Sequence, residues 1–163
     1  MILNDATIRE IEARMVRYPS RRSAILPALT AAYRQVGYLG PDLYEEISRI
    51  INTPYIEIAE AASFYTMFPK DEVGRFLIQV CHNISCSLRG ADNMILYLQD
   101  KLGIRLGETT SDKLFTLISV ECLGGCSAAP MMQINDVYYE DLTREKIDKI
   151  LGDLRSQAKR DGA

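Results

Sequence analysis

The placement of four cysteines constrains this chain more than any other sequence feature. They form two pairs, Cys81 with Cys86 and Cys122 with Cys126, and account for every cysteine in the 163 residues. Four residues separate the members of the first pair, 35 separate the pairs, and three separate the members of the second. Thiols grouped in this way are typical of metal binding or redox chemistry. Any fold proposed for the chain has to explain why they come in pairs.

Each cysteine pair begins at the end of a predicted β-strand. Residues 75–81 read RFLIQVC and residues 114–122 read LFTLISVEC, two short apolar runs of the kind that forms strands. If these strands are neighbours in one sheet, their carboxyl ends lie at the same edge. Two loops at that edge then bring four sulfur atoms together. The pattern therefore predicts one site built from both pairs.

The rest of the pattern predicts an α+β protein with two parts. Apolar residues recur at helical spacing through the first seventy residues, and we expect helices ending near Tyr18, Gly37, Ile51 and Phe64. We expect Ser20 to cap the second of these helices and Pro27 to kink it. The predicted domains are an N-terminal helical bundle over residues 1–72 and a thioredoxin-like α/β domain with a four-stranded sheet over residues 73–163.

Four further elements complete the predicted second domain. A helix is expected over about residues 90–102, followed by the strand that ends at Cys122. Two short strands, MMQIN (residues 131–135) and VYY (residues 137–139), are expected around a turn at Asn135-Asp136, and a last helix from Thr143. We expect the tail from Ser156 onward to fray.

Composition excludes several classes of function. The net charge is −3 and there is no basic block, which argues against nucleic acid as the main partner. No apolar run approaches the roughly 20 residues that a membrane span needs, and the first residues, MILNDATIRE, show no targeting pattern. We therefore expect a cytoplasmic protein, with a position on the cytoplasmic face of the inner membrane as part of a complex also compatible. Cysteines there stay reduced, so structural disulfides are disfavoured.

Three uses of the grouped thiols remain. A structural zinc ion accepts this spacing, but zinc often supports small domains that lack the apolar core predicted here. Dithiol exchange normally uses C-x-x-C, which neither pair matches. An iron–sulfur cluster with two irons takes two thiolates per iron, and backbone N–H groups around Gly124-Gly125 can donate to its sulfur atoms. His82 is the single histidine, whereas a Rieske centre needs two, so we expect His82 to be a loop side chain near the site.

The sequence shows no site for catalysis by the chain alone. It contains neither a Gly-x-Gly-x-x-Gly fingerprint nor a Walker-type loop. It also shows no nucleophile grouped with a base in a catalytic pattern. We therefore expect no nucleotide-binding site and no catalysis by the isolated chain.

The residues around the cysteines resemble a known family. The spacing C-x4-C, about 35 residues, C-x3-C, together with ASFYTMF, IQVC and VECLGGCSAAPMMQIND, is similar to the thioredoxin-like [2Fe–2S] ferredoxin family. The N-terminal stretches AILPAL and VGYL match as well, so the resemblance covers nearly the whole chain. It is strongest to the small iron–sulfur subunits of NADH-oxidising complexes.

The resemblance implies a cofactor and a partner. The cofactor is one [2Fe–2S] cluster held by Cys81, Cys86, Cys122 and Cys126, and the role is electron transfer. The partner is the larger flavin subunit, which binds FMN and NADH and carries its own iron–sulfur cluster, within a multi-subunit redox complex. The N-terminal helices are expected to pack on that partner. NADH:quinone oxidoreductases, NAD-linked hydrogenases and formate dehydrogenases all use such a subunit, and a free-standing ferredoxin is the further alternative.

Overall fold

The computed structural model describes residues 1–161, which fall into two compact units divided between Glu72 and Val73. The first unit holds helices α1 (Asp5–Met15), α2 (Ile25–Val36), α3 (Pro41–Ile51) and α4 (Tyr55–Phe64). The second holds β1 (Phe76–Cys81), α5 (Ile84–Leu88), α6 (Ala91–Leu102), β2 (Phe115–Val120), β3 (Met132–Ile134), β4 (Val137–Tyr139) and α7 (Arg144–Asp161). Within residues 1–161, no helix combines the length and the apolar character needed to cross a membrane.

The first unit packs α1 to α4 around an apolar core of its own. The large side chains that are fully buried in that core are Leu3, Ile11, Leu29, Leu39, Leu43, Ile47, Ile51 and Ile58. Gly37 follows α2 with a φ of 85°, a backbone conformation that favours glycine and ends the helix as predicted. Pro41 opens α3 at the first helical position, where its missing N–H costs nothing.

Two local predictions in this unit are corrected by the structure. The Ser20 hydroxyl accepts the N–H of Ser23, within a short 3-10 turn over Arg22–Ala24, at 3.2 Å. The residue before α2 is Ala24, so Ser20 does not cap this helix. Pro27 is the third residue of α2. An N–H group at that position has no acceptor within the helix, so proline fits the first turn instead of kinking the interior.

The second unit is built on a mixed sheet with the strand order β2-β1-β3-β4. The central strand β1 runs parallel to β2, with Phe76 opposite Phe115 at one end and Cys81 opposite Val120 at the other. Strand β3 pairs antiparallel with both β1 and β4. The predicted α+β class and four-stranded sheet are confirmed.

The sheet shares one core with α6 and α7. Buried side chains from the strands and both helices form this core: Phe76, Ile78, Val80, Ile95, Leu98, Phe115, Leu117, Met132, Ile134, Ile147 and Leu151. Helix α7 continues to Asp161, so the predicted fraying is wrong for residues 156–161. Residues 162 and 163 lie outside the described part of the chain. The five-residue helix α5 was not predicted, because one turn is too short to show helical periodicity.

Candidate metal centre

The parallel pairing of β1 with β2 places the two cysteine-bearing loops side by side. Cys81 is the last residue of β1, and its register partner is Val120, the last residue of β2. One residue further, the His82 N–H donates to the Val120 carbonyl at 3.1 Å. Cys122 follows Val120 by two residues. The chain therefore leaves both strands at the same edge of the sheet, as the sequence predicted.

Cys81 and Cys86 lie together in a small buried cluster. Both side chains are buried, and they pack with Ala91, Ala129 and Met131. Burial raises the pKa of the Cys86 thiol, and its hydrogen bond with Cys81 raises it further, while a backbone hydrogen bond from Met131 acts in the opposite direction. Without a metal ion, the buried thiol resists ionisation. A bound metal would supply the positive charge that a buried thiolate requires.

Cys122 and Cys126 form a second pair at the surface. Their Sγ atoms are 3.7 Å apart, and both residues are exposed. Two thiolates bound to one tetrahedral metal ion at about 2.3 Å lie about 3.8 Å apart. The second pair therefore has the sulfur separation that a shared metal ion requires.

The loop between Cys122 and Cys126 depends on two glycines for different reasons. Gly124 has a φ of 85°, where residues with a side chain are strained, and its N–H donates to the Cys122 Sγ at 3.4 Å. Gly125 has an ordinary φ, but a Cβ atom there would lie 2.5 Å from the Sδ of Met131. The loop thus requires glycine at position 124 because of its positive φ, and at position 125 because no side chain fits beside Met131.

Met131 contacts both halves of the site. Its carbonyl accepts the Cys81 N–H at 3.1 Å, and its backbone polar groups lower the pKa of the Cys86 thiol. Its side chain is buried and fills the space beside Gly125. Met131 therefore links the first cysteine pair, through its backbone, to the second loop, through its thioether. Sequence reasoning missed this role, since Met131 lay in a predicted strand.

The structure brings the predicted residues together as two pairs. Cys126 has a small electrostatic effect on Cys86 and raises the pKa of its thiol. Within residues 1–161, however, no three cysteine, histidine or acidic side chains converge on one metal position. The arrangement fits a group that takes two thiolates at each of two metal positions, as a binuclear iron–sulfur cluster does.

His82 lies where the sequence predicted, in the loop after the first strand. Its side chain is 42% exposed, and its Nε2 is 3.6 Å from the Oε1 of Glu121. Asn83 also reaches this carboxylate, donating from Nδ2 to the Glu121 Oε2 at 2.8 Å. This bond joins the two cysteine loops. No pattern in the sequence distinguished Asn83 from other polar loop residues.

Comparisons with known proteins identify the family to which this chain is similar. A model of the thioredoxin-like [2Fe–2S] ferredoxin family matches residues 11–155. The NADH-quinone oxidoreductase E 2 subunit of Rhizobium meliloti (strain 1021) is 45% identical over 147 residues, covering 90% of this chain and 88% of the relative. The NADH-quinone oxidoreductase E subunit of Rickettsia conorii (strain ATCC VR-613 / Malish 7) is 48% identical over 143 residues, covering 86% of each.

A solved structure resembles most of the chain. The crystal structure of an NAD⁺-reducing [NiFe]-hydrogenase in the air-oxidized state matches with a TM-score of 0.71 and 25% identity. The match covers 82% of this chain but 23% of the hydrogenase chain. This chain thus corresponds to less than a quarter of that larger polypeptide.

Proposed function

Because the chain belongs to the thioredoxin-like [2Fe–2S] ferredoxin family, we propose that it is the electron-transfer subunit of an NADH-oxidising flavin and iron–sulfur complex. The observation that carries this proposal is that the two cysteine pairs lie at the paired ends of β1 and β2. The similarity to an NADH-quinone oxidoreductase subunit also extends over 90% of this chain and therefore includes parts of both units. The chain carries one [2Fe–2S] cluster. The complex most strongly favoured is an NADH:quinone oxidoreductase.

The proposed ligands are the four cysteines. Cys122 and Cys126 already have the sulfur separation of two ligands on one iron, and Cys81 with Cys86 would bind the second iron. When bound, the cluster supplies one-electron transfer. The chain's own contribution is to bury one pair, to keep the other at the surface, and to direct the Gly124 N–H toward a ligand sulfur. Such N–H donors favour negative charge on the sulfur atoms.

A second candidate is the equivalent subunit of an NAD-linked hydrogenase. The structural match to an NAD⁺-reducing [NiFe]-hydrogenase supports it, at lower identity than the NADH-quinone oxidoreductase relatives. Both candidates place the chain beside a protein that handles NAD. The proposed partner is therefore a flavin- and NADH-binding iron–sulfur subunit, on the cytoplasmic side, and NADH chemistry takes place on that partner.

The N-terminal unit is the proposed docking surface for this partner. Phe64 and Met67, at and just beyond the end of α4, are 75% and 59% exposed. Phe64 also packs edge-on against Tyr65, with ring centroids 5.0 Å apart. Exposed aromatic residues and methionine are enriched at protein interfaces. A free-standing ferredoxin gains nothing from such a unit, whereas a subunit needs the contact area.

Capture of the native complex tests the proposed function. The tagged chain, isolated gently from its own cells, is expected to bring down a flavin-containing protein, with more iron than one binuclear cluster accounts for. The captured complex should oxidise NADH, and the purified chain alone should not, because it has no phosphate-binding loop. Capture without flavin, or tight NADH binding by the isolated chain, would contradict the proposal.

Replacing Phe64 with serine is expected to lower recovery of the flavin subunit at least severalfold, because it removes an exposed aromatic anchor of the interface. Leu96→Ser is the matched control, since Leu96 is 64% exposed but belongs to the other unit. Both variants should keep the visible spectrum of the cluster. Equal recovery of the partner by wild type and Phe64→Ser would place the docking surface elsewhere.

A further inference from the structure

We propose that Asn83 is a positioning residue that fixes the first cysteine loop against the second through Glu121. The inference rests on the proposed cluster ligands and assigns a role to a residue that does not bind metal. Its basis is one side-chain amide that makes two hydrogen bonds in different directions, one within its own loop and one across to the neighbouring strand end.

The first bond organises the loop that carries Cys86. The Asn83 Oδ1 accepts the Ile84 N–H at 2.9 Å, and Asn83 stands at the N-cap of α5 in an extended conformation. The Asn83 carbonyl also accepts the Ser87 N–H at 3.0 Å. Cys86 is the third residue of this helix. The position of its sulfur therefore follows from how Asn83 starts the turn.

The second bond ties this turn to the other cysteine pair. The Asn83 Nδ2 donates to the Glu121 Oε2 at 2.8 Å, and Glu121 directly precedes Cys122. The orientation of the amide is determined chemically. Its oxygen faces a backbone N–H, which requires an acceptor, and its nitrogen faces a carboxylate, which requires a donor. The two cysteine loops are thus joined by this side-chain hydrogen bond as well as by the backbone hydrogen bond from His82 to Val120.

Few residue types can make both bonds. Aspartate can accept the Ile84 N–H, but it offers no donor to Glu121 and brings two carboxylates together. Serine can also cap the turn, but its side chain reaches one bond less far than that of asparagine. Its single hydroxyl cannot make both bonds in their different directions. Both thiolate pairs would hold the proposed binuclear cluster, so a change in the separation of the pairs would act directly on its binding.

A double-mutant cycle tests the inference. Asn83→Asp keeps the cap and loses the bond to Glu121, so the chelator-driven loss of the visible cluster spectrum should be about two- to fivefold faster. Glu121→Gln keeps an acceptor for Asn83 and should stay near the wild-type rate. In the double variant N83D/E121Q, the new amide can donate to the new carboxylate, and the total charge equals that of wild type. Rescue of the rate toward wild type is expected.

The spectrum of the reduced cluster provides a second readout. Electron paramagnetic resonance should show a broadened or shifted signal in N83D that returns toward wild type in N83D/E121Q, since the separation of the ligand pairs changes and is restored. Asn93→Asp is the matched control: Asn93 is an exposed residue of α6, and the substitution adds the same charge without touching Glu121.

The outcomes separate this inference from the proposed function. A wild-type chain that binds no [2Fe–2S] cluster removes the proposed function and this inference together. If wild type holds the cluster and N83D loses it at the wild-type rate, the positioning role is wrong while the proposed function stands. A double variant no better than N83D overturns the role as well, because a restored donor and acceptor at positions 83 and 121 then fails to restore the cluster.

Discussion

Replacing any one of the four cysteines with serine is expected to abolish stable binding of the [2Fe–2S] cluster. The hydroxyl of serine is a far weaker ligand for iron than a thiolate, so one iron loses half of its protein ligands. Iron and acid-labile sulfide, both expected at about two per chain in wild type prepared without air, should fall close to zero in Cys81→Ser, Cys86→Ser, Cys122→Ser and Cys126→Ser.

Serine variants of the two cysteine pairs should differ in the stability of the metal-free fold. Cys86 is 2% exposed inside the small apolar cluster with Met131, so a serine there also introduces a hydroxyl into an apolar environment. Cys122 and Cys126 are exposed, so their serine variants should keep the fold of the metal-free domain. Circular dichroism of the metal-free variants measures this difference.

A neighbouring serine provides the control for the cysteine series. Ser85→Ala changes the residue before Cys86 on α5 without removing a proposed ligand. It should retain the wild-type iron and sulfide content. The four-cysteine ligand set would be wrong if wild type prepared without air held stoichiometric zinc and no acid-labile sulfide, or if one serine variant kept a full cluster.

The elements that define the second unit could be predicted because their signals are local. Alternating apolar residues identify β1, and its last residue is the cysteine that the sequence places there. Glycine after α2 and proline at the start of α3 mark helix ends through backbone chemistry alone. The edge position of the site follows from these strands, since strands paired in parallel end together.

The contacts between the two cysteine loops could not be predicted in the same way. The bond from Asn83 to Glu121 joins residues 38 positions apart, and neither residue type signals a partner at that distance. The packing of Met131 beside Gly125 could not be predicted, because an apolar residue in a short predicted strand indicates only a position in the core. Helix α5 has only five residues, which is too short to show an apolar periodicity in the sequence. The helical turn that positions Cys86 therefore could not be predicted.

The Gly125→Ala substitution is expected to disrupt the site by a steric mechanism. The added Cβ would lie 2.5 Å from the Met131 Sδ and 3.0 Å from its Cε, and Met131 is 1% exposed and closely packed. Overpacking of this kind costs about 1–3 kcal/mol, which corresponds to roughly 5- to 150-fold in the equilibrium that keeps the loop closed on the cluster. Faster loss of the cluster spectrum in the presence of a chelator measures the effect.

Gly124→Ala separates crowding from backbone strain in the same loop. Gly124 has nothing within 4 Å of the added Cβ, but its φ of 85° strains alanine by roughly 1–2 kcal/mol. Shortening Met131 in a G125A/M131A variant should therefore recover part of the cluster stability lost in G125A, because the clash is removed. The same M131A change should not rescue G124A, whose strain lies in its own backbone. If M131A rescued neither variant, packing against Met131 would not be the reason that this loop requires glycine at position 125.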